Sequence, residues 1–111
     1  MKLKTSIESK EDIEKFILII NIGIMTAISE GVFIIKEAEN YIYSPYSIEI
    51  IKKIGVNENI VKLINLGCEL EDVESLIPHK LQDAIDDIRN TAINLLRKFG
   101  KSKLSTKKWI D

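Results

Sequence analysis

Leu81-Gln82-Asp83-Ala84-Ile85-Asp86-Asp87-Ile88-Arg89-Asn90-Thr91-Ala92-Ile93-Asn94-Leu95-Leu96-Arg97-Lys98-Phe99 decides the fold. Leu81, Ile85, Ile88, Ala92, Leu95, Leu96 and Phe99 recur at steps of three and four, the period of one helix face. Asp83, Asp86, Asp87, Asn90 and Asn94 occupy the opposite stripe. Gly100 follows the last apolar residue, where glycine adopts the left-handed stop of a helix at little cost. A helix this regular needs apolar partners, so the rest of the chain is read for faces that meet it.

Upstream, Ser9 stands where an N-cap should, with Glu11, Asp12 and Glu14 in or near the first turn, where the helix dipole favours acids. Ile13, Phe16, Ile17, Ile20, Ile24, Ala27 and Ile28 follow at helical spacing, and Gly31 supplies the stop. Leu18, Ile19, Ile22 and Met25 widen that stripe beyond one face, so this helix is either the central one or partly covered by another subunit. Ile35, Ala38, Tyr41 and Ile42 fit a short helix, with a β-hairpin around residues 32–36 as the alternative. Ser44-Pro45 supplies an N-cap and first-position pair for the next helix, with Ile48, Ile51 and Ile54 inward and Gly55 at its end. Asn57 caps a fourth helix with Ile60, Val61, Leu63 and Ile64 inward, and Gly67 is expected to close it. A short acidic helix follows, with Leu70, Val73, Leu76 and Ile77 inward, and Pro78 opens the last one.

The expected architecture is therefore all-α, a compact single-domain bundle of five or six helices. Its parts are a flexible lead-in over 1–8, a helical domain over 9–100 and a basic tail over 101–111, with Trp109 and Ile110 able to anchor that tail on the body. A chain of 111 residues suits one core. With 16 basic against 17 acidic side chains it lacks the positive balance of a dedicated nucleic-acid binder. Phe16 to Ser29 is uncharged but shorter than the roughly 20 residues of a membrane span. The mixed charges before it differ from the positive leader of a signal peptide, so a cytoplasmic protein is expected.

Catalytic and cofactor chemistry is poorly represented. His79 and Cys68 are each the single residue of their kind; they could meet in space, but a Cys beside Gly67 at a helix end is more often a small buried filler than a nucleophile. His79 and Asp83 share a helix face, but two ligands fall short of a usual zinc site. The isolated glycines match no phosphate-cradling loop. No enzyme activity, cofactor or metal is expected.

Charge placement carries more. Between Glu69 and Asp87 stand seven acids, Glu69, Glu71, Asp72, Glu74, Asp83, Asp86 and Asp87, against Lys80 alone. The tail holds Lys101, Lys103, Lys107 and Lys108 against Asp111. Such segregation in a nearly neutral chain points to an acidic face. Glu71, Asp72, Glu74, Asp83, Asp86 and Asp87 are the candidate partner-binding residues. The bland alternative is that these acids serve helix starts and that the lysine tail lies across them.

Gly67-Cys68-Glu69-Leu70-Glu71-Asp72-Val73-Glu74-Ser75-Leu76-Ile77-Pro78 resembles the Gly-x-Glu-Leu-Glu-Asp-Val-x-Ser-Leu-x-Pro signature of a small uncharacterised bacterial family. Ala38-Glu39 and Tyr43-Ser44-Pro45 also resemble its pattern, which spans residues 16 to 99 and leaves the basic tail outside. Proteins of this size and acidity are similar in type to immunity proteins encoded beside polymorphic toxins. The resemblance implies a non-enzymatic protein that neutralises a basic toxin domain, for instance a nuclease. The alternative is a helical homodimer, a scaffold using the wide apolar face of the first helix.

Overall fold

The computed structural model describes residues 1–100 and 108–111. Helix α1 runs over Lys10–Ser29, α2 over Ile35–Tyr41, α3 over Pro45–Ile54, α4 over Glu58–Cys68, α5 over Leu70–Leu76 and α6 over Leu81–Arg97. The expected count of five or six bundle helices is corrected. Four helices of ten residues or more (α1, α3, α4, α6) form the body, while α2 and α5, of seven residues each, are short connecting segments. Seven residues are under two full turns, too short to carry a bundle face of their own. The all-α class stands: no strand occurs among the described residues, the 32–36 hairpin included, and Thr5 and Ile110 make one isolated antiparallel bridge.

Caps were written locally and form locally. The Ser9 hydroxyl accepts from the Asp12 amide at 3.1 Å, and the Ser44 hydroxyl accepts from the Ser47 amide at 3.2 Å, with Pro45 in the first helical turn. Asn57 caps α4 through its side chain, which accepts from the Asn59 amide at 2.8 Å. After α1 the amides of Gly31 and Val32 turn back onto the carbonyls of Ile28 and Ala27, with Gly31 at a φ of 73°. Gly67 departs from this scheme. It lies inside α4, which ends at Cys68, and it has no positive φ.

α1 and α6 lie antiparallel. Gln82, at the start of α6, donates to the Ser29 hydroxyl at the end of α1, and Lys15, near the start of α1, sits over the Phe99 ring beyond the end of α6. α4 packs against both, and α5 bridges α4 and α6. Leu18 and Met25 of α1, Ile60, Leu63 and Ile64 of α4, and Ile85, Ile88 and Ala92 of α6 are buried together, so the stripe that opened the sequence reading is the core stripe. The wide apolar face of α1 is met by α6 and α4, and at Phe16 it is covered edge-on by Trp109. Three expected core positions are corrected: Ile54, in the last turn of α3, is 44% exposed. Leu76 is 77% exposed and Ile77 is exposed beside it, because α5 buries Leu70 at its start and then runs away from the body.

Two backbone hydrogen bonds join the lead-in over 1–8 to the C-terminal residues. The Ser6 amide donates to the Trp109 carbonyl at 2.8 Å, and the Asp111 amide donates to the Lys4 carbonyl at 2.9 Å. Whether the basic tail crosses the acidic face turns on residues 101–107, which lie outside the described residues.

Glu14 is a buried carboxylate that the helical pattern alone does not explain. Its Oε2 accepts the Asn57 amide at 2.6 Å, so a side chain of α1 stands at the start of α4. It lines a cavity of about 180 Å³ with Leu18, Asn57, Ile60, Leu95, Lys98 and Phe99. The negative charge answers the positive end of the α4 dipole. Glu14→Gln keeps the shape and an acceptor but removes the charge. A loss of about 1 kcal/mol is expected, read as a lower urea midpoint at unchanged slope.

Candidate functional site

The acids beyond Gly67 separate into two groups. The first gathers around α5. Glu69 ends α4 and caps α5, with helical backbone angles that run one helix into the next. Glu71 and Asp72 then fall in the first turn of α5, both exposed. Acids there stabilise the short helix by about 0.3–1 kcal/mol each. The same turn meets α2, which brings Glu39 against Glu71. The Glu39 carboxyl is raised above the usual carboxylate range, first by its hydrogen bond with Glu71, then by burial, and further by the charges of Glu71 and Asp72. Lys36 opposes this only in part.

Cys68 lies at the back of this group. Its thiol is pushed up by burial and then by the negative charges of Glu39 and Glu69. A thiol shifted this way stays protonated near neutrality and is a poor nucleophile. His79 lies exposed in the single 3₁₀ turn Pro78–Lys80 that precedes α6. Among the described residues no three His, Cys, Asp or Glu side chains are placed to hold a metal ion.

The second group is on α6. Asp83 and Asp87 are exposed on its outer stripe, as are Asn90 and Asn94. Asp86 is half-buried and accepts from Gln82 at 3.0 Å, and the same Gln82 amide nitrogen donates to Ser29 at 2.9 Å. Asp86 is thereby tied to the α1–α6 junction. Glu74 is exposed on α5. Among the described residues, no lysine or arginine lies within ion-pair distance of Glu71, Asp72, Glu74, Asp83, Asp86 or Asp87.

One member of the site was not assigned from sequence. Glu39 is thirty-odd residues from Glu71, and only the docking of α2 on α5 joins them. Ala38-Glu39 did stand in the family resemblance, without a role attached to it.

The fold and site define a class: an all-α protein with an acidic edge at the α2–α5 junction, in which no helix is long and apolar enough to cross a membrane among the described residues. Within that class the chain belongs to the family described as protein of unknown function DUF3969, whose model matches residues 8–111. That match runs through the basic tail, beyond the 16–99 over which the signature resemblance extends. No curated protein and no solved structure matches the chain.

Proposed function

We propose that this is a non-enzymatic binding protein that presents the α2–α5 acidic edge, extended by the outer stripe of α6, to a basic protein surface. The particular case we favour is a cytoplasmic bacterial immunity protein that covers the basic cleft of a toxin, such as a nuclease. The observation that carries it is the packing of α2 on α5, which gathers Glu39, Glu71 and Asp72 along one edge, where the Glu39 carboxyl is raised first by its hydrogen bond with Glu71. Like charges held together destabilise the free protein. An arriving cation removes that repulsion and gains two or three carboxylate partners, which favours a guanidinium or ammonium group over a neutral one. The surrounding field would also speed encounter with a positive partner and reject negative ones.

The test is capture of the natural partner with the tagged protein, followed by charge reversal. Glu71→Lys with Asp72→Lys is expected to slow association at low salt by at least about tenfold, with a smaller effect for Asp83→Lys with Asp87→Lys. Raising the salt should shrink the difference between variants. A captured partner that binds all three proteins equally would remove the acidic edge from the account. A toxin gene directly beside this one would support the immunity reading over other binding roles.

A further inference from the structure

The outer face of α3 carries Tyr46, Ile50 and Ile54, exposed by 75%, 41% and 44%. They are four residues apart and form one ridge. The inner face of the same helix is spent on the body: Ile48 is buried, Ile51 is half-buried, and the helix packs on α4. Beside the ridge runs a second row, Glu49 and Lys53, both exposed. That pair has the favourable acid-before-base order within a helix, yet it makes no ion pair among the described residues.

We propose that this ridge joins two copies of the chain, antiparallel about a two-fold axis at Ile50. The ridge reads the same from either end, with an apolar residue at the centre and one four positions away on each side. Inverting a second copy places Ile50 on its own counterpart and Tyr46 on Ile54 of the copy, in both directions. Flanks on the same side of the ridge then face each other in reverse order. Glu49 of each copy meets Lys53 of the other, with an axial offset of about 3 Å, which side chains of this length span. A residue that contacts its own image, and a charge pair that is satisfied twice, are the marks of an isologous interface. An unrelated partner would require neither symmetry. The face carries none of the acids of the α2–α5 edge, so the dimer and the binding reading stand or fall separately.

A ten-residue helix gives a contact below the area of a standard stable interface, so the dimer is a weak one. Sedimentation equilibrium between about 0.01 and about 1 mM is the direct test, over the range where so small an interface self-associates. The weight-average mass is expected to climb from one chain toward two. Glu49→Lys and Lys53→Glu should each weaken association by at least about tenfold, and the two together should restore it. Ile50→Cys, in a chain with Cys68→Ser, should cross-link to itself on mild oxidation, while Lys52→Cys in the same background should not. Circular dichroism of each variant separates lost association from lost folding. A folded chain that stays monomeric at the highest concentration, or a charge swap that fails to restore the dimer, overturns the proposal.

Discussion

Gly67→Ala is expected to lower stability by about 3 kcal/mol, the upper end of what overpacking costs. The added methyl would fall on Cδ1 and Cε1 of the Tyr43 ring, well inside contact distance. Neither side can yield easily. The methyl is fixed to the backbone of α4, and the ring is buried with its hydroxyl donating to Asn21 Oδ1 on α1. For a domain of this size the loss is about 10–20 °C in melting temperature. The control is Gly23→Ala. Gly23 lies inside α1 with open space where the methyl would go, so the same change should stabilise by about 0.5–1 kcal/mol through helix propensity alone. Two glycines, one substitution and opposite signs can be read by thermal melting. Trimming the ring in a Gly67→Ala, Tyr43→Leu double variant should recover part of the loss, and simple additivity would disprove the contact.

Tyr43→Phe is the second large effect, at about 1–3 kcal/mol, because it leaves a buried acceptor unpaired. Asn21 is 0% exposed, its Nδ2 lacks a partner among the described residues, and its Oδ1 accepts from the Tyr43 hydroxyl. Asn21→Leu in the Tyr43→Phe background removes the orphaned group and should recover most of the loss, since replacing both partners by apolar groups is nearly neutral. The same pair predicts a pH dependence. The Tyr43 hydroxyl is raised above its ordinary value, first by burial and then by the neighbouring Cys68. A raised value means the unfolded chain gives up this proton first as the pH climbs. The stabilisation is therefore complete below about pH 10 and is lost above it. Urea midpoints of the parent chain and Tyr43→Phe should keep a constant gap below about pH 10 and converge as the pH climbs beyond it. A gap that stays constant above it would show that Tyr43 does not ionise on unfolding.

Gly67 was expected to end a helix, as Gly31 and Gly55 do, because a glycine beside an apolar run signals a left-handed turn. Its actual role is to leave room for a ring from residue 43. That requirement is set by a neighbour distant in the chain, and no local pattern encodes it. Glu14 is a parallel case. Its place near the start of α1 predicted a dipole role in its own helix, whereas its carboxylate serves the start of α4. Leu76 and Ile77 fitted an inward spacing, yet the direction in which a seven-residue helix leaves the body left them outside.

The candidate site divides the same way. Seven acids between Glu69 and Asp87 were countable, but a count cannot say which of them converge. Packing of α2 on α5 brought in Glu39 and joined it to Glu71 and Asp72, while Asp86 was drawn to the α1–α6 junction by Gln82. The self-complementary ridge of α3 was equally hidden, since Ile54 read as an inner residue until the helix was docked.

Sequence alone determined the class of fold, the caps at Ser9, Ser44 and Asn57, and the core face of α6, because these depend on neighbours three or four residues away. Tertiary structure alone decided the number of helices that make the body, the purpose of Gly67 and Glu14, and which carboxylates share one field. Those depend on groups far apart in the chain meeting at contact distance, and short-range periodicity carries no information about such meetings.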